Sequence, residues 1–311
     1  MKKSDTDTTI TQTQHQFFKP ALKVKYPLYF RATKTDGYFN PETAKVEASV
    51  IHVLGVMHNY PLTSLPDSVI NDLQSSNTLC WEGPVKEDVF RKAILAHDPF
   101  TSDGKWYEGL SEASRSVIDK VLEPAIAGFF PGHHAKEIKA SFVPLALTVA
   151  SQLRGMDYTL GDYFEKNNKK SVLFDSDQGK AEIINTLLLS AVEMSTELLD
   201  KSIQNFENNP LTEAYATRPA PECLQIIEQA FGTGNSLLES RNRAWKESII
   251  TESVKNQNLT IAVGAAHLVG VTGTLFLLQA IGYKLQILGK ENTLDDYYYQ
   301  GPPGSAQCVI Q

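Results

Sequence analysis

Two apolar runs end in one signature: Val50-Ile51-His52-Val53-Leu54-Gly55-Val56-Met57-His58 and Leu259-Thr260-Ile261-Ala262-Val263-Gly264-Ala265-Ala266-His267. Each is rich enough in β-branched and aliphatic residues to predict a buried strand. Each closes on Gly-x-x-His. A helix-like stretch and a further apolar run follow both times, ending at Leu79-Cys80-Trp81-Glu82 and at Tyr283-Lys284-Leu285-Gln286-Ile287-Leu288. Strand, glycine loop, helix and strand at this length describe a βαβ unit. Parallel strands of an open sheet share a carboxyl edge, where ligands bind. His58, Glu82 and His267 are therefore expected to converge on one cleft. Two imidazoles and a carboxylate are the ligand set of a hydrolytic metal site. Each glycine is expected to give the sharp turn that only glycine permits, presenting its histidine at the sheet edge.

Working outward, residues 1–19 are polar, rich in Thr and Gln, and read as disordered. Tyr26 to Thr33 predicts a strand, Asp36-Gly37 a turn, and Ala48 to Leu54 the first core strand. Leu65-Pro66-Asp67 opens a helix running to about Ser75. After Gly83-Pro84 the pattern is helical over Glu112–Gly128, Lys136–Leu153 and Lys180–Phe206, with a short strand at Ser171–Phe174. Asn209 to Pro221 reads as a connection and Ser236 to Lys255 as a helix. The expected fold class is α/β: a mixed central sheet built from N- and C-terminal βαβ-like units, with a large helical insertion. The α/β domain spans 20–288 with its insertion at about 84–235, and 289–311 form a flexible tail.

The bulk numbers narrow the function. The chain has 311 residues, 42% hydrophobic and 21% charged, an ordinary globular composition. Its net charge is −7 and no Lys/Arg cluster occurs, which argues against nucleic acid as a partner. Three scattered cysteines show no metal-ligand spacing and suggest reduced thiols in a cytoplasmic setting. The uncharged stretch Ile261–Tyr283 contains His267, Gln279 and several glycines, and reads as a buried strand-loop-helix rather than a membrane span.

The other polar residues each have two readings. A lone loop histidine is more often a cap than a ligand, but repetition of the motif favours a site for His58 and His267. His52 lies within its strand and reads as a hydrogen-bonded core or supporting group; His133-His134 read as an exposed loop. Arg241-Asn242 could clamp a substrate carboxylate or stabilise an oxyanion. A salt bridge fixing the helix to the sheet is an equal alternative. Asp157, Asp175 and Asp177 read as helix caps.

Several of these steps together resemble the TraB/PrgY/GumN family, to which the Tiki proteases belong. The resemblance rests on Leu54-Gly55-Val56-Met57-His58 followed by Leu65-Pro66 and Trp81-Glu82. It continues through Arg154-Gly155-Met156-Asp157, Phe174-Asp175-x-x-Gln178, Arg241-Asn242-Arg243-Ala244-Trp245 and Val263-Gly264-Ala265-Ala266-His267-Leu268-Val269-Gly270. It covers roughly Val50 to Leu288. It implies an α/β fold and, for the Tiki branch, peptidase activity with a divalent ion of manganese or cobalt type, zinc being a third candidate. His58, Glu82 and His267 would be the site residues, the two histidines as ligands and Glu82 as a third ligand or the general base, with Arg241 and Asn242 placing substrate or stabilising the oxyanion. Val56 stands where the group usually has Thr, Ala266 where Gly is common and Asp175 where Glu is usual. Related folds bind haem or hydrolyse esters without metal. The alternatives to a metallopeptidase are therefore a metal-independent esterase-like hydrolase and an inactive module holding a ligand or partner.

The last four residues, Cys308-Val309-Ile310-Gln311, fit a prenylation box whose terminal Gln suits farnesyl transfer. The expectation is weak membrane association through a farnesylated Cys308 in a eukaryotic or host cytosol. The expected substrate is a peptide or protein.

Overall fold

A computed structural model describes residues 23–101, 104–152, 155–189, 194–207, 210–231, 235–288 and 294–295. The strands are β1 (Tyr29–Asn40), β2 (Lys45–Val56), β3 (Thr78–Trp81), β4 (Lys170–Leu173), β5 (Asn258–Gly264), β6 (Lys284–Leu288) and β7 (Leu294–Asp295). They form one sheet in the order β4-β3-β5-β2-β1-β6-β7. The helices are α1 (Asp67–Ser75), α2 (Glu87–Leu95), α3 (Lys105–Glu108), α4 (Glu112–Val117), α5 (Glu123–Phe129), α6 (Val143–Gln152), α7 (Met156–Lys166), α8 (Asp177–Leu189), α9 (Thr196–Glu207), α10 (Pro210–Thr217), α11 (Ala220–Phe231), α12 (Ser236–Lys255) and α13 (Thr274–Ala280).

β4, β3, β5 and β2 pair in parallel in that order. β1 lies antiparallel between β2 and β6. Both Gly-x-x-His units are thus parallel crossovers: β2 reaches β3 through α1, and β5 reaches β6 through α13. The fold is the α/β class expected, a mixed sheet drawn from both ends of the chain. Ile51, Val53, Leu54, Ile261, Ala262 and Val263 are fully buried. That is why these strands read as continuous apolar runs rather than alternating ones.

The described residues form two hydrophobic cores. One packs against the sheet and includes Leu54, Trp81, Leu160, Trp245 and Leu278. The other lies wholly among helices and includes Phe90, Trp106, Leu122, Leu147, Ile184 and Leu199. α7 and β4 fall between helical segments in sequence but belong to the sheet. A side chain at Gly161 would collide with the ring of Trp81, so glycine there lets α7 lie close on β3. The helical cluster is therefore assembled from residues 87–152 and 177–207.

Four local expectations are corrected. Asp36-Gly37 does not turn the chain; it lies inside β1, where the register shifts between Lys34 and Tyr38. Such a bulge accommodates an irregular pair without ending the strand. The reversal comes at Pro41 to Ala44, with Ala44 at φ 53°. The segment read as a connection up to Pro221 is mostly helical from Pro210 onward, Pro210 opening α10 where a missing N–H costs nothing. The run Lys180–Phe206 divides into α8 and α9. Leu294 and Asp295 pair with β6, so the sheet extends into the segment read as a tail. The Cys308 box lies outside the described residues. Among the described residues no helix is long and apolar enough to cross a membrane.

Candidate functional site

The parallel strands deliver their following residues to one edge. β2 leads to His58, β3 to Glu82, β4 to Asp175, and β5 to Gly264 and a short turn, Ala265–Leu268, that carries His267. α12 lays Arg241, Asn242 and Trp245 across that edge, and the first turns of α7 and α8 add Asp157 and Lys180.

The two motif glycines act through space, not through left-handed backbone, since neither Gly55 nor Gly264 has positive φ. This corrects the expectation of a glycine-only turn. A Cβ on Gly55 would run into the side chain of Leu268, so the first motif makes room for the residue after the second motif's histidine. A Cβ on Gly264 would stand 3.1 Å from Glu82 Oε1, 3.4 Å from His58 Nε2 and 3.6 Å from His267 Cδ2. The two imidazoles are thus within about 7 Å of each other, the sum of the last two distances. Tyr215 fixes the end of β2, its hydroxyl donating to the Gly55 carbonyl at 2.8 Å.

Arg241 is the hub. Its Nη2 donates to Glu82 Oε2 at 2.6 Å and to Asp175 Oδ2 at 2.5 Å, and its Nη1 reaches His267 Nε2 at 2.9 Å. Glu82 Oε1 accepts the Gly264 N–H at 2.5 Å. His267 Nδ1 lies 2.7 Å from Asn242 Oδ1. Guanidinium only donates and an amide oxygen only accepts, so the neutral tautomer carrying its proton on Nδ1 satisfies both contacts. Trp245 lies beneath, donating from Nε1 to Asp175 Oδ1 at 2.8 Å, with its ring centroid 4.3 Å from that of His267 and 4.7 Å from the guanidinium carbon. His58 Nδ1 is 3.2 Å from Asp157 Oδ2 but out of line for a hydrogen bond, so their attraction is chiefly coulombic.

The charges balance: Glu82, Asp157 and Asp175 face Arg241, Lys180 and a protonated His58. Burial alone would lower the His58 pKa, but Asp157 and then Glu82 outweigh it and raise it to about 9. His267 is lowered to about 4, chiefly because burial disfavours its charged form, with Arg241 adding repulsion. Burial would raise the Glu82 carboxyl; at the low pH where it titrates His267 is itself charged, and that charge, Arg241, His58 and the Gly264 N–H together hold it well below the usual carboxylate range. Burial likewise lowers Lys180, whose Nζ donates to the Pro84 carbonyl at 2.8 Å. Two histidines at one edge are thereby pushed apart, one a cation and one neutral near pH 7, which is how acid and base roles are separated.

The donor chemistry fits a divalent ion in kind. His267 already has its Nδ1–H held by Asn242, the outer-shell bond that directs Nε2 toward a metal. Arg241 now occupies that Nε2 lone pair, and among the described residues no three His, Cys, Asp or Glu side chains stand grouped as a ready cage. A cavity of about 150 Å³ adjoins the cluster, with His58, Glu82, Asp157, Asp175, Lys180 and Arg241 on its polar side.

His58, Glu82, His267, Arg241 and Asn242, singled out from the sequence, all meet here. Of the two readings of Arg241, the salt bridge is present, and Asn242 orients His267. Asp157 and Asp175 read locally as caps, yet both face the site; only the family resemblance had marked them. Lys180 carried no signal in the sequence at all. His52 instead joins a separate network, its Nδ1 2.7 Å from the Tyr29 hydroxyl, which donates to Asp72 at 2.7 Å. The family model that matches this chain is that of the TraB/PrgY/gumN family, over residues 42–287. Neither the curated proteins nor the solved structures contain a match.

Proposed function

The chain belongs to the TraB/PrgY/gumN family, and on that footing we propose that it is a hydrolase of a peptide or related carbonyl bond, with a divalent metal at His58, Glu82 and His267. The observation that carries the reading is the convergence of these three side chains around Gly264, with His267 already in the tautomer a metal requires. A manganese, cobalt or zinc ion held there would polarise the carbonyl and lower the pKa of its bound water. The chain's own residues set the conditions. Arg241 must leave His267 Nε2 for that nitrogen to bind anything else. Asp175 and Trp245 can keep the guanidinium in place as it does so, since Asp175 bonds both. Arg241 then faces the cleft, where a cation can stabilise an oxyanion. Asp157 holds a proton on His58 at neutral pH in the metal-free protein, and His58 would give that proton up to become a ligand, so metal uptake is expected to release a proton. Lys180 adds a second cation beside the cavity.

The engaged state of Arg241 favours a second reading, a module that binds a ligand without turnover. Metal content after reconstitution with manganese, cobalt or zinc, and cleavage of a peptide library with and without chelator, separate the two. Stoichiometric metal with chelator-sensitive cleavage supports the hydrolase. No metal uptake, no cleavage and unaltered ligand binding by His58→Ala would establish the binding module. Farnesylation of Cys308 with weak membrane association, in a eukaryotic or host cytosol, belongs to the same proposal.

A further inference from the structure

The cavity beside the cluster has two unlike sides. The polar side comes from the sheet edge and from the helix turns laid over it, Asp157 of α7, Arg241 of α12 and Lys180 at the start of α8. The opposite wall comes from the helical cluster and is mainly aliphatic: Leu145 and Val149 of α6, and Ile183, Ile184 and Leu187 of α8, with Thr148 of α6 beside them, its hydroxyl donating back to the Pro144 carbonyl at 2.9 Å. The aliphatic residues are four apart on α6, and one and four apart on α8, so each helix turns one face to the cavity. Val149 and Ile184 are buried members of the helical core, so the wall is anchored from behind. Leu187 is 39% exposed and stands at the rim.

From this wall we propose that the helical insertion is the specificity element of the site, and that it selects a leucine- or methionine-sized aliphatic group flanking the reacting carbonyl. The inference rests on the hydrolase reading for the word reacting, but the selection itself is a matter of binding. The volume is about 150 Å³. An apolar cavity of about that size accepts benzene in another protein, so six or so heavy atoms fit and an indole does not. An acidic side chain would lie against five aliphatic residues, and Lys180, on the polar side, already faces Asp175 and Glu82. A basic side chain would lose its water against the same aliphatic residues, and the carboxylates across the cavity, Glu82, Asp157 and Asp175, already face Arg241, Lys180 and His58. A glycine would leave the wall uncovered, forfeiting the burial of apolar area that favours the aliphatic ligand. The division of labour is physical: the sheet edge, α7 and α12 hold five of the six polar groups in register, while α6 and the later turns of α8, beyond Lys180, can vary their aliphatic lining without moving those five.

The test is saturation-transfer NMR on the full chain in chelator. The ligand is an equimolar mixture of the N-acetyl methylamides of Gly, Leu, Met, Trp, Asp and Lys. The Leu and Met amides are expected to receive at least about threefold more saturation than the others. Val149→Phe, which fills the cavity, is expected to remove that preference. Leu187→Asp at the exposed rim, where folding is least at risk, is expected to weaken it. Ile184→Ala, which enlarges the space, is expected to admit the Trp amide. Equal saturation of Gly and Leu, a preference for Asp or Lys, or an unchanged profile in a folded Leu187→Asp variant would overturn the proposal. Peptide-library cleavage separates the two ideas. Selective binding with no cleavage under any metal defeats the hydrolase and leaves the pocket. Cleavage indifferent to flanking Leu or Met defeats the pocket and leaves the hydrolase.

Discussion

Replacing Asp157 by Asn removes the charge that keeps His58 protonated while keeping the shape of the side chain. The rise of the His58 pKa from 6.5 to about 9 corresponds to roughly 3 kcal/mol of preference for the charged form. The imidazole is 29% exposed, so solvent screening reduces what reaches stability to about 1–2 kcal/mol. The sign follows from linkage: a pKa raised on folding gives stability that is complete below the unfolded value of 6.5 and is lost as pH rises through about 9. Metal-free wild type is therefore expected to exceed Asp157→Asn by about 1–2 kcal/mol in urea unfolding near pH 6, and by little near pH 10. The Cε1–H resonance of His58 reads the cause directly, with a wild-type midpoint near 9 and a variant midpoint displaced well below it. A wild-type midpoint at or below 6.5, or one that Asp157→Asn leaves in place, would refute the assignment of His58 as a cation.

His267→Ala is expected to abolish hydrolysis and also to cost about 2–4 kcal/mol in metal-free protein, since His267 is 3% exposed and both its nitrogens are bonded. Chemical unfolding of apo variant beside apo wild type measures this; a loss under about 0.5 kcal/mol would contradict the hydrogen-bond arrangement. Trp245→Phe keeps the stack on Phe174 but removes the bond to Asp175, and is expected to cost about 1–2 kcal/mol in the same assay. Gly155→Ala places a Cβ 2.5 Å from the His58 carbonyl and is expected to cost about 1–3 kcal/mol and to shift the His58 titration as the loop moves. Cys308→Ser is expected to remove a farnesyl mass increment and to lower the membrane fraction modestly in eukaryotic cells, a single lipid giving only marginal anchoring. Identical fractions for wild type and variant would end that reading.

Sequence periodicity made the frame legible because burial on both faces writes itself as an uninterrupted apolar run. β2 and β5 are such runs, and their ends carried His58 and His267 to view. α12 was legible from end to end because Asn235 caps it and Lys255 closes it on a polar stop. The bulge at Asp36-Gly37 and the helix α10 were not legible, since turn-type residues take their conformation from neighbours: β2 alongside the first, the sheet core against the second. The site was visible as residue types and spacing. Its electrostatic state was not, because Arg241 meets Asp175 across 66 positions and Glu82 across 159.

By itself, then, the sequence determined that two strand-Gly-x-x-His units share a sheet edge and that two imidazoles and a carboxylate stand there. Local pattern suffices for that, since strand direction and burial are encoded within each unit. Only the tertiary structure decided that the glycines serve close packing rather than turning, that one histidine is charged and the other neutral, and that Lys180 and an aliphatic wall complete the cavity. Those outcomes depend on distances of a few ångströms between segments far apart in the chain, and on the loss of water around charges, neither of which any local run of residues contains.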